Sequence, residues 1–163
     1  MTETHEGGCL CGSIRYRTTG DPARVTTCYC RFCQRATGSI GLVEPVFADA
    51  EFQITTGDPK LYSVISESSG KQVHIHFCET CGTKIHLSFE RFPGFVGLYG
   101  GTFDDPDWFD RQGEGAKHIF LSAAAEGTMI PPGVACFEDH ALTRDGDPVP
   151  PQIHDEIHVI RRG

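Results

Sequence analysis

The 163-residue sequence lacks any apolar run long enough to cross a membrane, which takes about 18 or more consecutive apolar residues. It also lacks a positive surplus: 14 basic residues stand against 22 acidic ones, for a formal net charge of -8. Such a chain has no cationic excess with which to displace counterions from a phosphate backbone, which argues against a nucleic-acid partner. The opening Met1-Thr2-Glu3-Thr4-His5-Glu6 has no basic start and no apolar stretch, so no secretory signal is expected there. There is no G-x-G-x-x-G, no P-loop, no G-x-S-x-G and no H-E-x-x-H, which removes the simplest nucleotide-binding, serine-hydrolase and zinc-protease readings. No segment of a dozen residues shows a helical period, and no repeat longer than a strand is present. The expectation is a cytoplasmic protein of one domain, residues 1–163, with no membrane association. A chain of this size can bury about 70% of its unfolded surface and needs no partner to hold a core.

Alternation with period two dominates what is there. It predicts strands over Ser13–Thr18, Glu51–Thr56, Lys71–Phe77, Thr83–Phe89, Phe95–Tyr99, Lys117–Leu121 and Glu156–Ile160, with short helical turns over Phe32–Ala36 and Pro106–Gln112. On the 71–77 and 83–89 strands, His74, His76 and His86 fall on the polar faces and are expected to be exposed. Trp108 and Phe109 read as core or pocket wall. The fold class is mainly β.

Eight cysteines make up about 5% of the chain, below the roughly 8–10% of a small disulfide scaffold. In a reducing compartment they are expected as thiols. Seven of them fall into three tight groups. Cys9-Leu10-Cys11-Gly12 and Cys78-Glu79-Thr80-Cys81-Gly82 are paired-cysteine turns with a trailing glycine. Together they supply the four thiolates of a closed, tetrahedral structural zinc, Cys9, Cys11, Cys78 and Cys81. Cys28-Tyr29-Cys30-Arg31-Phe32-Cys33 supplies three. Three thiolates leave a fourth position open, as in a catalytic zinc site. The same three are also compatible with a second structural site completed by His74, His76 or His86, or with a redox pair and a spare. Arg31, Arg35 and Lys84 are the cations nearest in sequence to these groups. Cys136 stands alone and reads as a buried apolar residue.

The order of the three groups resembles the glutathione-dependent formaldehyde-activating enzymes, a family that includes the centromere protein V group. The likeness extends through Gly7-Gly8-Cys9-Leu10-Cys11-Gly12-Ser13-Ile14-Arg15-Tyr16, Cys33-Gln34-Arg35-Ala36-Thr37-Gly38-Ser39, Phe77-Cys78-Glu79-Thr80-Cys81-Gly82-Thr83, Gly101-Thr102-Phe103-Asp104-Asp105-Pro106 and Lys117-His118-Ile119-Phe120. It covers about residues 7–121. The resemblance implies small antiparallel sheets around a structural zinc (a β-tent fold) held by Cys9, Cys11, Cys78 and Cys81. It implies a second, labile zinc and the catalytic residues at Cys28, Cys30 and Cys33. It further implies a carbon–sulfur lyase that adds the thiol of glutathione, or a similar small thiol, to formaldehyde or a related electrophile. Two departures stand out: Tyr29 occupies a position where the family commonly has histidine, and Leu121-Ser122-Ala123-Ala124-Ala125-Glu126-Gly127 replaces a lysine-alanine-proline-tryptophan stretch. The competing classes are a zinc-stapled binding module without catalysis and a thiol redox protein using the middle group. The sequence sets no oligomeric state.

Overall fold

A computed structural model describes residues 3–162. The protein is mainly β. In chain order its strands are β1 (Thr4–Gly8), β2 (Arg15–Thr19), β3 (Arg24–Cys28), β4 (Leu42–Ala48), β5 (Phe52–Thr56), β6 (Lys60–Ile65) and β7 (Gln72–Phe77). They continue with β8 (Lys84–Phe89), β9 (Phe95–Leu98), β10 (Ala116–Ile119), β11 (Met129–Ile130), β12 (Ala135–Cys136) and β13 (His158–Val159). A seven-residue helix, α1 (Arg31–Thr37), follows β3. No helix among the described residues is long and apolar enough to cross a membrane.

The packing divides the chain into two compact units. One holds the residues through Arg24 together with Glu44–Phe109; the other holds Val25–Val43 and the residues from Asp110 onward.

The first unit contains two antiparallel ladders. One has the order β1-β2-β5, and in the other β4, β9, β8, β7 and β6 are successive neighbours. Alternation decides the facing residues: Tyr16 and Thr18 of β2 are fully buried while Arg17 between them is exposed. β8 lies between β7 and β9, and Ile85, His86 and Leu87 are all buried. A strand covered on both faces loses its polar side, which overrides the alternation read from sequence. His86 therefore differs from the expectation of exposure. It is 7% exposed, its ring stacks on His76 at 3.9 Å, and Phe52 of β5 covers it at 4.7 Å. Burial pulls its imidazole down to about 3 because the charged form loses its water.

The expected helical turn over Pro106–Gln112 is absent: these residues form bends and turns. Asp105 Oδ1 accepts from Asp107 N at 3.0 Å, and Asp110 Oδ1 from Gln112 N at 2.8 Å. Aspartate side chains capture the amides that a helix would have used. Trp108 and Phe109 pack with Phe103 as an aromatic cluster, Trp108 edge-on to Phe103 at 5.4 Å.

In the second unit β10 is central and pairs in parallel with both β3 and β12. β11 and β13 form a separate antiparallel pair. Tyr29, Leu121, Ala124, Ile130, Cys136 and Ile160 make its apolar core. Cys136 is 1% exposed and its thiol donates to Val134 O, the situation of a buried apolar residue.

Candidate metal and thiol sites

Each cysteine group converges in its own unit. In the first unit the four sulfurs of Cys9, Cys11, Cys78 and Cys81 lie within 4.8 Å of one another. Cys9 Sγ is 3.5 Å from Cys11 Sγ, and Cys11 Sγ is 3.7 Å from Cys78 Sγ. A tetrahedral zinc with Zn–S bonds of about 2.3 Å requires S···S edges of about 3.8 Å, so the four thiols fit that ion. Two matching turns build the site. Cys9 N donates to Ile14 O and Gly12 N to Cys9 O; Cys78 N donates to Thr83 O and Gly82 N to Cys78 O. Gly12 and Gly82 take φ of 78° and 75°, a region that costs a side chain-bearing residue strain. Around the sulfurs, Ile14 N donates to Cys9 Sγ at 3.2 Å. Cys11 Sγ lies 3.2 Å from Ser13 Oγ, and Cys81 Sγ 3.2 Å from Thr83 Oγ1. The hydrogen bond with Ser13 lowers the Cys11 thiol, and the one with Thr83 takes Cys81 down to about 5. Thiolates are what zinc requires. Leu10 N donates to Thr83 Oγ1, linking the two turns directly.

In the second unit the three sulfurs of Cys28, Cys30 and Cys33 also lie within 4.8 Å of one another, and no histidine, aspartate or glutamate of the described residues joins the group. All seven grouped cysteines are free thiols. Cys28 is the last residue of β3, and its register partner on β10 is Ile119. Cys30 is the N-cap of α1: its backbone is extended, and its sulfur accepts from Cys33 N at 3.4 Å. Cys33 is in the first turn of that helix, which ends at Gly38 in a left-handed C-cap. Cys28 and Cys33 are each 4% exposed, whereas Cys30 is half-buried. Hydrogen bonds from Cys28 first, then Cys33, hold the Cys30 thiol down to about 3; the same bonds push Cys28 and Cys33 upward. Of the three, the half-buried Cys30 thiol is the one shifted down, and the two buried thiols are shifted up.

The frame around this group is polar. Tyr29, between the first two cysteines, is buried, and its hydroxyl lies 3.0 Å from His118 Nδ1. Burial lowers His118 and raises Tyr29 to about 12, so this is a contact of two neutral groups. Gln34 Nε2 donates to Tyr29 O at 2.6 Å and to Ala123 O at 2.9 Å. Arg31, one of the cations nearest in sequence to the group, is exposed and donates to Gln34 Oε1. Arg35 is exposed on α1. His118 and Ala123 stand 89 residues beyond their partners, and no local pattern in the sequence links them to the cysteines.

A model of the family described as glutathione-dependent formaldehyde-activating enzyme matches residues 4–123. The chain belongs to that family. Its match to the formaldehyde-activating family runs through both cysteine-bearing units. A curated Halomonas elongata protein, provisionally named a glutathione-dependent formaldehyde-activating enzyme, is 26% identical over 102 residues, covering 61% of this chain and 65% of the relative. The match therefore spans less than two thirds of that relative's own length. A solved structure of a Rhodobacter sphaeroides protein aligns with 61% of this chain and 87% of its own, at 20% identity and a TM-score of 0.47.

Proposed function

We propose that this protein joins a small thiol, glutathione or a close analogue, to formaldehyde or a related small aldehyde, and runs the reverse cleavage as a carbon–sulfur lyase. We assign Cys28, Cys30 and Cys33 to the reaction and Cys9, Cys11, Cys78 and Cys81 to a structural zinc. The observation that carries this reading is the three-member set of the second group: three converging thiols, one of them half-buried, joined by no histidine, aspartate, glutamate or further cysteine among the described residues. Family membership supports it. The family match spans parts of both units, which supports treating residues 1–163 as one functional domain.

In the condensation the thiol sulfur forms a bond to the aldehyde carbon, the carbonyl π pair moves to oxygen, and the thiol proton ends on that oxygen. No oxidant or reductant is consumed. Zinc, when held by Cys28, Cys30 and Cys33, supplies the Lewis acidity that favours the thiolate form of a substrate thiol. The chain's own residues supply geometry. The Cys30 sulfur, capping α1, is the group presented to solvent, and buried Cys28 and Cys33 hold its orientation. Tyr29 packs against His118 and closes the inner side of the turn to water.

The test is the exchange of formaldehyde with glutathione followed by NMR, with the spontaneous reaction as baseline. Acceleration by the native protein that disappears in Cys30→Ser supports the assignment; equal rates in the two proteins would sink it.

A second reading has its own observation. Cys30 and Cys33 place a C-x-x-C pair at the start of α1 with one thiol low and the other high, the pattern of a dithiol redox pair. Two zinc ions per chain favour the lyase; one zinc and a reducible Cys30–Cys33 disulfide favour redox chemistry.

A further inference from the structure

One side chain ties the thiol loop to its surroundings. Gln34 follows Cys33 on α1, and all of its polar atoms are engaged. Its two amide hydrogens go to Tyr29 O at 2.6 Å and Ala123 O at 2.9 Å, while Oε1 accepts from Arg31. The Arg31 bond fixes which end of the amide is the donor. Tyr29 O lies between two thiol-bearing residues, so displacing that carbonyl rotates the peptide leading to Cys30. Ala123 O belongs to a 3-10 turn, Leu121–Ala123, that starts at Phe120 with φ 61°. Phe120 is the one non-glycine residue with positive φ among those described, and a bulky residue in that region stays there only when its neighbours over-determine it. Those neighbours are on the page. Phe120 N donates to Asp139 O, Ser122 N to Glu138 O, and Arg162 Nη2 to Ser122 O and Ala124 O. The turn is thus pinned from one side by residues 138, 139 and 162, and from the other by Gln34.

We infer that Gln34 is a positioning residue for the thiol site. Its amide sets the separation between the Cys28-Tyr29-Cys30 turn and the strained Phe120–Ala124 turn, and so the access of a substrate thiol to the Cys30 sulfur. This rests on the function proposed above. The alternative is that Gln34 only stabilises α1. A stabilising residue would change the melting temperature and leave the reactivity of the folded protein unaltered; a positioning residue changes the reactivity of one cysteine group and not the other.

The experiment uses the full chain as purified, in three forms: native, Gln34→Ala and Gln34→Glu, the last isosteric but with both donors lost. Cysteine alkylation by iodoacetamide is mapped by mass spectrometry. The expected result is a rise of about threefold or more in the Cys30 rate in both variants, with Cys9, Cys11, Cys78 and Cys81 unchanged. Where thiol–formaldehyde condensation is measurable, KM for the thiol is expected to rise by about fivefold with kcat nearly preserved. Cys30 rates within twofold of native in both variants would overturn the inference. So would a Gln34→Glu chain that fails to fold, since that makes Gln34 a residue of the fold. If the native protein accelerates no condensation, the lyase reading fails while the Cys30 alkylation contrast still decides the role of Gln34.

Discussion

The two cysteine groups use the same atom type for opposite ends. In the first unit, the cysteines come in pairs from two turns, with Cys78 67 positions beyond Cys11. In the second, all three ligands come from six consecutive residues. Closing a long loop with a metal removes more conformational freedom from the unfolded chain than closing a short one. Four thiolates complete zinc's coordination, whereas three leave it open. On the function proposed above, the long-range group of four would hold the fold, and the local group of three would add little to stability and serve the reaction.

The largest effect that could break this contrast is expected from Cys78→Ser. It removes a buried ligand of the filled group and should cost at least about 3 kcal/mol, lowering Tm by on the order of 10 °C in calorimetry. A shift of less than a couple of degrees would remove the structural role from that group. Cys30→Ser is the mirror experiment. It should reduce condensation by about 100-fold, equivalent to ~2.7 kcal/mol in the barrier, and lower metal content by one ion per chain while Tm stays nearly fixed.

Gly82→Ala sharpens the comparison within the filled group. Nothing lies within 4 Å of the added Cβ, so only the φ of 75° opposes it. The expected loss is about 1–2 kcal/mol in a denaturation curve with condensation kinetics unaltered. The effect that is smallest at neutral pH is electrostatic and belongs to the first unit. The His86 imidazole sits at about 3 when folded against roughly 6.5 in the unfolded chain. Between those values the unfolded chain binds a proton that the native one refuses. Stability should therefore fall as pH drops below about 6.5, by at most ~1.4 kcal/mol per pH unit, and be insensitive to this group at higher pH. His86→Phe should flatten the curve over that window by up to one proton's worth.

Much of this was legible in the residues, and the reasons for the remainder are specific. β5, β7, β8 and β9 begin and end within a residue or so of the strands their alternation predicts, although β8 and β9 are buried on both faces. α1 extends one residue beyond the expected turn at each end because Cys30 and Gly38 cap it. β1, Thr-His-Glu-Gly-Gly, has no apolar residue to betray it, yet it pairs with β2 along its whole length. β4 is interrupted by Pro45 and carries Glu44, which breaks the pattern, although Val46 and Phe47 are fully buried. β6 is exposed on nearly every residue and is placed by its ladder with β7 alone. Both cysteine groups could be drawn from spacing: the first as two paired-cysteine turns each followed by glycine, the second as three cysteines within six residues. The Tyr29–His118 contact and the Gln34 bridge could not, because each joins residues 89 apart through the folded sheet.

The parallel pairing of β3 with β10 sets a timetable for biosynthesis. Residues 25–28 are made early, but their register partners are Ala116–Ile119. A ribosome working at about 5–20 residues per second needs several seconds to reach them. During that interval Cys28, Cys30 and Cys33 are on a nascent chain whose supporting strand does not yet exist, and Cys9 and Cys11 wait likewise for Cys78 and Cys81. Parallel, non-local ladders are also slow to form. Both groups therefore reach their native geometry late in the life of the chain, and on the function proposed above any metal would be taken up only then, with seven thiols open to oxidation or to the wrong ion beforehand.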